Sequence, residues 1–171
     1  MIHRASQIVC LLLLSAVLTN AGCKAYQLGS PSLHRFEIQT VHVPVFESDS
    51  MRRFLGQRLT EAVVKEVELN TPFTVMSAGR AQSILTGRII RERKNVLVET
   101  ENDDPRALQY EMLVEVTWTD RGGVPLMERQ VLRLERDVTF IPEGGQSLTT
   151  AQQELIEQLA RQIVGNMENP W

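Results

Sequence analysis

The strongest pattern along the chain is the alternation of Tyr110, Met112, Val114, Val116 and Trp118 with Glu111, Leu113, Glu115, Thr117 and Thr119. A period of two sends the large apolar groups to one side of an extended chain, so this segment reads as a strand with one buried face. Asp120-Arg121-Gly122-Gly123 follows as a tight reversal, because glycine takes the positive φ that a hairpin needs. The returning strand places Leu126, Leu132 and Leu134 on one parity and Arg133, Glu135 and Asp137 on the other. The pair predicts an antiparallel sheet with one face toward a core.

Upstream, Phe36 to Phe46 is rich in β-branched residues, with Val41, Val43 and Val45 alternating with His42 and Pro44. It reads as a strand, and Pro44, which has no N–H to donate, belongs at an edge or close to the strand's end. Ser48-Asp49-Ser50 offers capping side chains for a helix from about Met51 to Leu69, where Met51, Leu55, Leu59, Ala62, Val63 and either Glu66 or Val67 recur at helical spacing. Asn70-Thr71-Pro72 ends it, Phe73 to Met76 is a short strand and Ser77 to Arg80 a turn. Ile84 to Ile90 and Val96 to Val98 read as strands, or one bent ribbon, interrupted near Arg91-Glu92-Arg93-Lys94-Asn95, with a polar turn at Glu101 to Pro105. Pro142-Glu143-Gly144-Gly145 leads to a second helix from about Thr150 to Met167, with capping-box spacing at Thr150 to Gln153 and a stripe of Leu155, Ile156, Leu159, Ala160, Ile163, Val164 and Met167. The order predicts an α+β fold: two amphipathic helices packed on one face of a mostly antiparallel sheet of about four strands.

The amino terminus has a different character. His3 and Arg4 precede an apolar run from Ile8 to Leu18 that is too short to span a bilayer and has the length of a signal-peptide core. Thr19-Asn20-Ala21-Gly22-Cys23 brings small residues up to a cysteine, the arrangement of a bacterial lipobox, with Asn20 where an apolar residue is usual. Residues 1–22 are therefore expected to be a lipoprotein signal peptide, and Cys23 the attachment point of a diacylglycerol and an N-acyl chain. Residues 23–34 would form a tether and 35–171 a single domain. Three acyl chains, each buried methylene contributing about 0.8 kcal/mol, hold a protein on a membrane essentially permanently. Lys24 follows the cysteine, and by resemblance to lipoprotein sorting the absence of Asp there favours the outer membrane. The alternative is a plain secretory signal with an incidental cysteine.

Composition narrows the function classes. With 171 residues, 43% of them hydrophobic and 23% charged, the chain is an ordinary globular one, and a net charge of −3 argues against a general nucleic-acid binder. One of its two cysteines, Cys10, lies in the leader, so the processed chain has no internal disulfide. Only His34, in the tether, and His42, on a strand, remain as histidines after processing, and His42 reads as surface or rim packing. A nucleophile needs a base in reach, and none is provided. CxxC, HExxH, GxGxxG and GxxxxGK[ST] are all missing from the sequence, so metal, dinucleotide and P-loop chemistry lack their carrying residues. Asp103-Asp104 reads as a solvated turn. No catalysis and no cofactor are expected. The one cluster above background is Arg88, Arg91, Arg93 and Lys94: arginine's planar fork suits phosphate groups, while the same charges, partly neutralised by Glu92, also suit a sheet edge guarded against aggregation.

Taken in order, the lipobox, Val41-His42-Val43-Pro44-Val45-Phe46, a helix, Ala81-Gln82-Ser83-Ile84-Leu85-Thr86-Gly87-Arg88-Ile89, a tyrosine-led strand and a glycine hairpin resemble the LptE family of LPS-assembly lipoproteins. Its "V-x-V-x-x-F-x-N" opening fits Val41, Val43 and Phe46, with Ser48 where Asn is commoner. Its "A-D-x-x-L-x-G-x-I" segment fits Ala81, Leu85, Gly87 and Ile89, with Gln82 where Asp is commoner. The resemblance implies a lipid-anchored protein on the periplasmic face of the outer membrane that plugs an LptD-like β-barrel and assists lipopolysaccharide assembly. Arg88, Arg91, Arg93 and Lys94 would then be candidate contacts to lipopolysaccharide phosphates. A periplasmic lipoprotein of the CsgG or peptidoglycan-synthase-activator type is the alternative.

Overall fold

The structure, a computed structural model, describes residues 38–99, 105–127 and 129–168, all within one compact unit, Pro31–Trp171. The expected leader, Cys23, the tether with His34, and the Glu101 to Asp104 turn lie outside these residues. The elements are β1 (Thr40–His42), β2 (Glu47–Ser48), α1 (Leu55–Asn70), β3 (Thr74–Val75), β4 (Ser83–Glu99), β5 (Pro105–Asp120), β6 (Leu132–Phe140) and α2 (Leu148–Gly165), the last preceded by a 3-10 turn at Pro142–Gly144.

The α+β class with two helices is as expected, but the sheet is larger and mixed. Six strands run in the order β3-β1-β4-β5-β6, with β2 also beside β4. β4, β5 and β6 form the expected antiparallel meander, whereas β1 pairs in parallel with β3 and β4, and β2 in parallel with β4. The parallel part follows from chain direction: after β1 the chain crosses over through α1 and comes back in the same sense. These strands are two or three residues long, too short for periodicity to reveal.

Pro44 explains why the long predicted strand over Phe36 to Phe46 becomes two short ones. Ladder pairing stops at His42 and resumes at Glu47, because a residue without an N–H cannot continue it. In the break, Phe46 turns inward against two glycines. A Cβ on Gly87 would lie 2.5 Å from the Phe46 ring, and one on Gly56 would lie 2.1 Å from the Phe46 carbonyl oxygen, so only glycine permits this approach at either position. The Phe46 N–H donates to Thr60 Oγ1 at 2.8 Å, and that hydroxyl donates to the Gly56 carbonyl at 2.8 Å.

Both helices start differently from the sequence expectation. α1 begins at Leu55, not Met51, and is preceded by Phe54 at φ 65°; Met51 is fully exposed rather than on the apolar face. Ser50 does not cap the helix, since its hydroxyl accepts from the Arg52 N–H and donates to Glu92. α2 starts two residues earlier than predicted and is capped by Ser147, whose Oγ accepts from the Thr150 N–H at 3.1 Å. The apolar stripes hold: Leu55, Leu59, Val63 and Val67 of α1 and Leu155, Ile156, Leu159, Ala160, Ile163 and Val164 of α2 are buried. They share one core with Leu108, Tyr110, Met112, Val114, Val116 and Trp118 of β5.

Residues Arg91 to Asn95 do not interrupt a strand. β4 is continuous over Ser83–Glu99 and absorbs irregularities in register at Ile89/Arg91, Val96/Val98 and Val98/Glu99. Asp120 to Gly123 makes the expected reversal, with Gly123 at φ 83°.

Candidate functional site

With both helices on one face of the sheet, the other is open, and register determines what it displays. Arg88 lies opposite Glu115 and then Arg133; Arg91 opposite Leu113 and then Glu135; Arg93 opposite Glu111 and then Asp137. Opposite charges on facing strands attract, and much of this face is tied together by them. Arg88 Nη2 reaches Asp49 Oδ1 at 2.7 Å and its Nε lies 3.0 Å from Oδ2, a two-pronged contact. Arg91 Nη2 bridges two strands, 2.9 Å from Glu111 and 2.7 Å from Glu135, and Arg133 Nε is 2.6 Å from Glu115. The hydrogen bonds to Asp49 and Glu111 raise the pKa values of Arg88 and Arg91 above that of a free guanidinium.

The cationic cluster of the sequence is therefore divided. Arg88, Arg91 and Arg93 share the open face, whereas Lys94 stands opposite Tyr110, on the parity of the helix-covered face. Arg88 and Arg91 are already paired with acids; among the described residues no hydrogen bond or ion pair engages Arg93 or Lys94, and both are exposed. The acids that pair with Arg88 and Arg91 lie on β2's exit, β5 and β6, far away in sequence. Only the strand register brings them near.

A second polar group sits at the N-terminal ends of the helices. Glu92 accepts from Ser50 Oγ at 2.7 Å and pairs with Arg52, so the loop ahead of α1 is tied to β4. Tyr110 hydroxyl accepts from Gln152 Nε2 at 3.2 Å, and Arg58 Nη2 donates to Gln153 at 3.0 Å, joining the two helices. Burial, helped by the charge of Glu92, pushes the Tyr110 phenol up to about 12. The periodicity of the sequence pointed to Tyr110 as core but gave no sign of this network. The imidazole of His42 has its Nδ1 3.0 Å from the Met76 carbonyl, so this nitrogen is the donor and the ring joins β1 to the chain leaving β3.

These placements give meaning to the short apolar motifs. Val41, Val43 and Phe46 are buried at the β1–β2 break, and Ala81, Leu85 and Ile89 are buried around Gly87, where Phe46 docks. Residues 38–169 match the LptE family, described as lipopolysaccharide-assembly. The chain belongs to the LptE family. Membership assigns it a role in lipopolysaccharide assembly and makes it a relative of envelope lipoproteins. No curated protein matches the chain. Among solved structures, protein XCC0632 from Xanthomonas campestris is similar to this LptE-family chain at TM-score 0.51 and 11% identity, over 83% of this chain and 90% of that one. Protein CT253 from Chlamydia trachomatis is similar at TM-score 0.50 and 11% identity, over 75% and 94%. Rare lipoprotein B from Shewanella oneidensis is similar at TM-score 0.48 and 17% identity, over 75% and 93%. At such identities the first two share a fold with this LptE-family chain and nothing finer. No helix among the described residues is long and apolar enough to cross a membrane.

Proposed function

We propose that this chain is a lipid-anchored outer-membrane protein that sits on the periplasmic side, plugs the lumen of an LptD-like β-barrel and assists delivery of lipopolysaccharide to the cell surface. The observation that carries this reading is the family match over residues 38–169. The chemistry of the open sheet face supports it. A barrel lumen is polar, and a plug for it needs a rigid polar surface whose charges are already balanced, so that little solvation is lost on insertion. Arg88 with Asp49, Arg91 with Glu111 and Glu135, and Arg133 with Glu115 make such a surface. The work requires shape and position rather than a catalyst or a cofactor. Cys23 carries the acyl chains in this reading, and the tether of residues 23–34 raises the local concentration near the barrel.

For lipopolysaccharide phosphates, Arg93 and Lys94 are the first contacts, because they are exposed and engaged by no acid among the described residues. Arg88 and Arg91 join only by exchanging a carboxylate for a phosphate. The test is affinity purification from detergent-solubilised outer membrane. Recovery of a large β-barrel protein in equal amounts is expected; recovery of a cell-wall synthase alone, or of a ring of this chain, overturns the reading. Charge reversal at Arg93 and Lys94 is expected to weaken lipopolysaccharide binding in vitro, and unchanged binding removes them from the site.

A further inference from the structure

β4 loses its neighbour half-way along. On the side away from β5, pairing with β2 ends at Ser48 opposite Ile89, the Asp49 N–H donates to the Ile89 carbonyl, and the chain then turns off toward α1. From Arg93 to Glu99 no described strand lies on that side. Among the described residues the backbone groups there form an open edge about 20 Å long at roughly 3.3 Å per residue. Natural edges are usually guarded by charge, and Arg93 and Lys94 fit that rule; Val96, Leu97 and Val98 do not, at 44%, 50% and 51% exposure on consecutive positions. β6 is the contrast. It is also an edge, yet its exposed residues are Arg133, Glu135, Arg136, Asp137 and Thr139, with none of the large apolar type.

More apolar surface lies on the loop tied to Glu92, one residue before this edge. The loop held to Glu92 by Ser50 and Arg52 carries Met51, wholly exposed, and Phe54, 68% exposed. Phe54 is the sole non-glycine at positive φ among the described residues. A left-handed phenylalanine is a costly way to present an exposed ring, and such outliers concentrate where a surface is used.

We propose that the β4 edge at Arg93–Glu99 receives an extended segment of a partner protein, alternately acidic and apolar, as an added strand in the position β2 leaves empty. Main-chain hydrogen bonds supply the register, the partner's acids lie on the open face with Arg93, and its apolar side chains, on the helix side, cover Val96 and the stem of Lys94. A second copy paired antiparallel would set Arg93 opposite Glu99, an occupant that the test separates by its dependence on protein concentration. A lipid surface cannot supply the backbone partners that a strand edge offers. The proposal is independent of the barrel reading and stands if that one fails.

The test is a titration of the isotope-labelled protein with a capped nine-residue peptide alternating valine and glutamate, followed by amide shifts and amide exchange. Saturable shifts at Arg93–Glu99 and in the Met51–Phe54 loop, with slowed exchange along Arg93–Glu99, are expected. Arg93→Glu should weaken binding at least about tenfold, since a like charge then faces the acids of the peptide. Phe54→Gly should weaken it as well, with thermal unfolding confirming that both variants are folded. Overturning results are a peptide with lysine in place of glutamate binding equally well, shifts centred on β6, shifts that follow protein concentration without peptide, or binding to phosphatidylglycerol vesicles with none to the peptide.

Discussion

Ser83–Ile89 and Arg93–Glu99 belong to one strand, yet they behave as two materials. The first half is flanked on both sides, by β1 and β2 and by β5, and Ser83, Leu85 and Ile89 on its inner parity are buried. Among the described residues the second half keeps only β5, and every residue from Arg93 to Glu99 is exposed, although Tyr110 and Leu108 opposite it are buried under the helices. The helical layer covers β5 and the inner parity of the first half of β4, and stops short of the second half. Alternation is therefore enforced in one half, where a slip would bury Thr86 or Arg88, and is free to lapse in the other, where Val96-Leu97-Val98 can stand in a row. Stability resides in the covered half, leaving the free half available for recognition.

The largest expected contrast follows directly. Leu85→Ala empties a fully buried site and should lower stability by about 3 kcal/mol. Val98→Ala, on the same strand, should change it by less than about 0.5 kcal/mol. Urea midpoints of the two variants measure the difference; similar losses would show that the free half is packed in the folded state.

Tyr110 faces the boundary between the halves, opposite Lys94, and gives the next effect. Its phenol is pushed up from 10.0 to about 12 by burial and by the charge of Glu92. The folded state therefore holds the proton more tightly than the unfolded one. Stability is complete below about pH 10 and declines as the pH rises toward about 12, by about 2–3 kcal/mol over the two units. Unfolding followed at about pH 8 and about pH 11.5 should show this loss, and Tyr110→Phe should reduce it. A loss of equal size in the variant assigns the alkaline transition to other groups.

The same contrast explains what was legible beforehand. Tyr110 to Trp118 could be read because a covered strand must alternate, and the stripes of both helices could be read because each packs one face. Arg91 to Asn95 looked like an interruption since its charges do not alternate with apolar residues, yet backbone pairing with β5 carries the strand through. Met51 has helical spacing with Leu55, but the chain turns at Phe54 before the helix starts. Pro44 announced a strand end without revealing that β2 resumes beyond it. The pairs of Arg88 with Asp49 and of Arg91 with Glu111 and Glu135 depend on register across the sheet, which no local pattern encodes.

Phe54 offers a smaller effect with opposite signs in two measurements. Glycine takes a positive φ without the steric conflict of a Cβ, and the exposed ring contributes little packing to the free chain. Phe54→Gly should therefore raise stability by about 1 kcal/mol. If the ring is present for a partner, the same variant should bind the valine–glutamate peptide more weakly. A loss of stability instead would mean that the loop before α1 relies on the ring for its own structure.

The smallest expected effect compares the cations of the two halves. Arg88 is held by Asp49 through two guanidinium nitrogens, whereas Arg93 stands opposite Glu111, whose carboxylate is taken by Arg91. A double-mutant cycle of Arg88→Gln with Asp49→Asn should show favourable coupling that fades as salt is raised, because exposed pairs are screened. The cycle of Arg93→Gln with Glu111→Gln should show none at either salt concentration. Coupling at Arg93 equal to that at Arg88 would mean that Glu111 is shared with Arg93 in solution, that the free half is as internally satisfied as the covered one, and that the charge there is not held in reserve for an acidic strand.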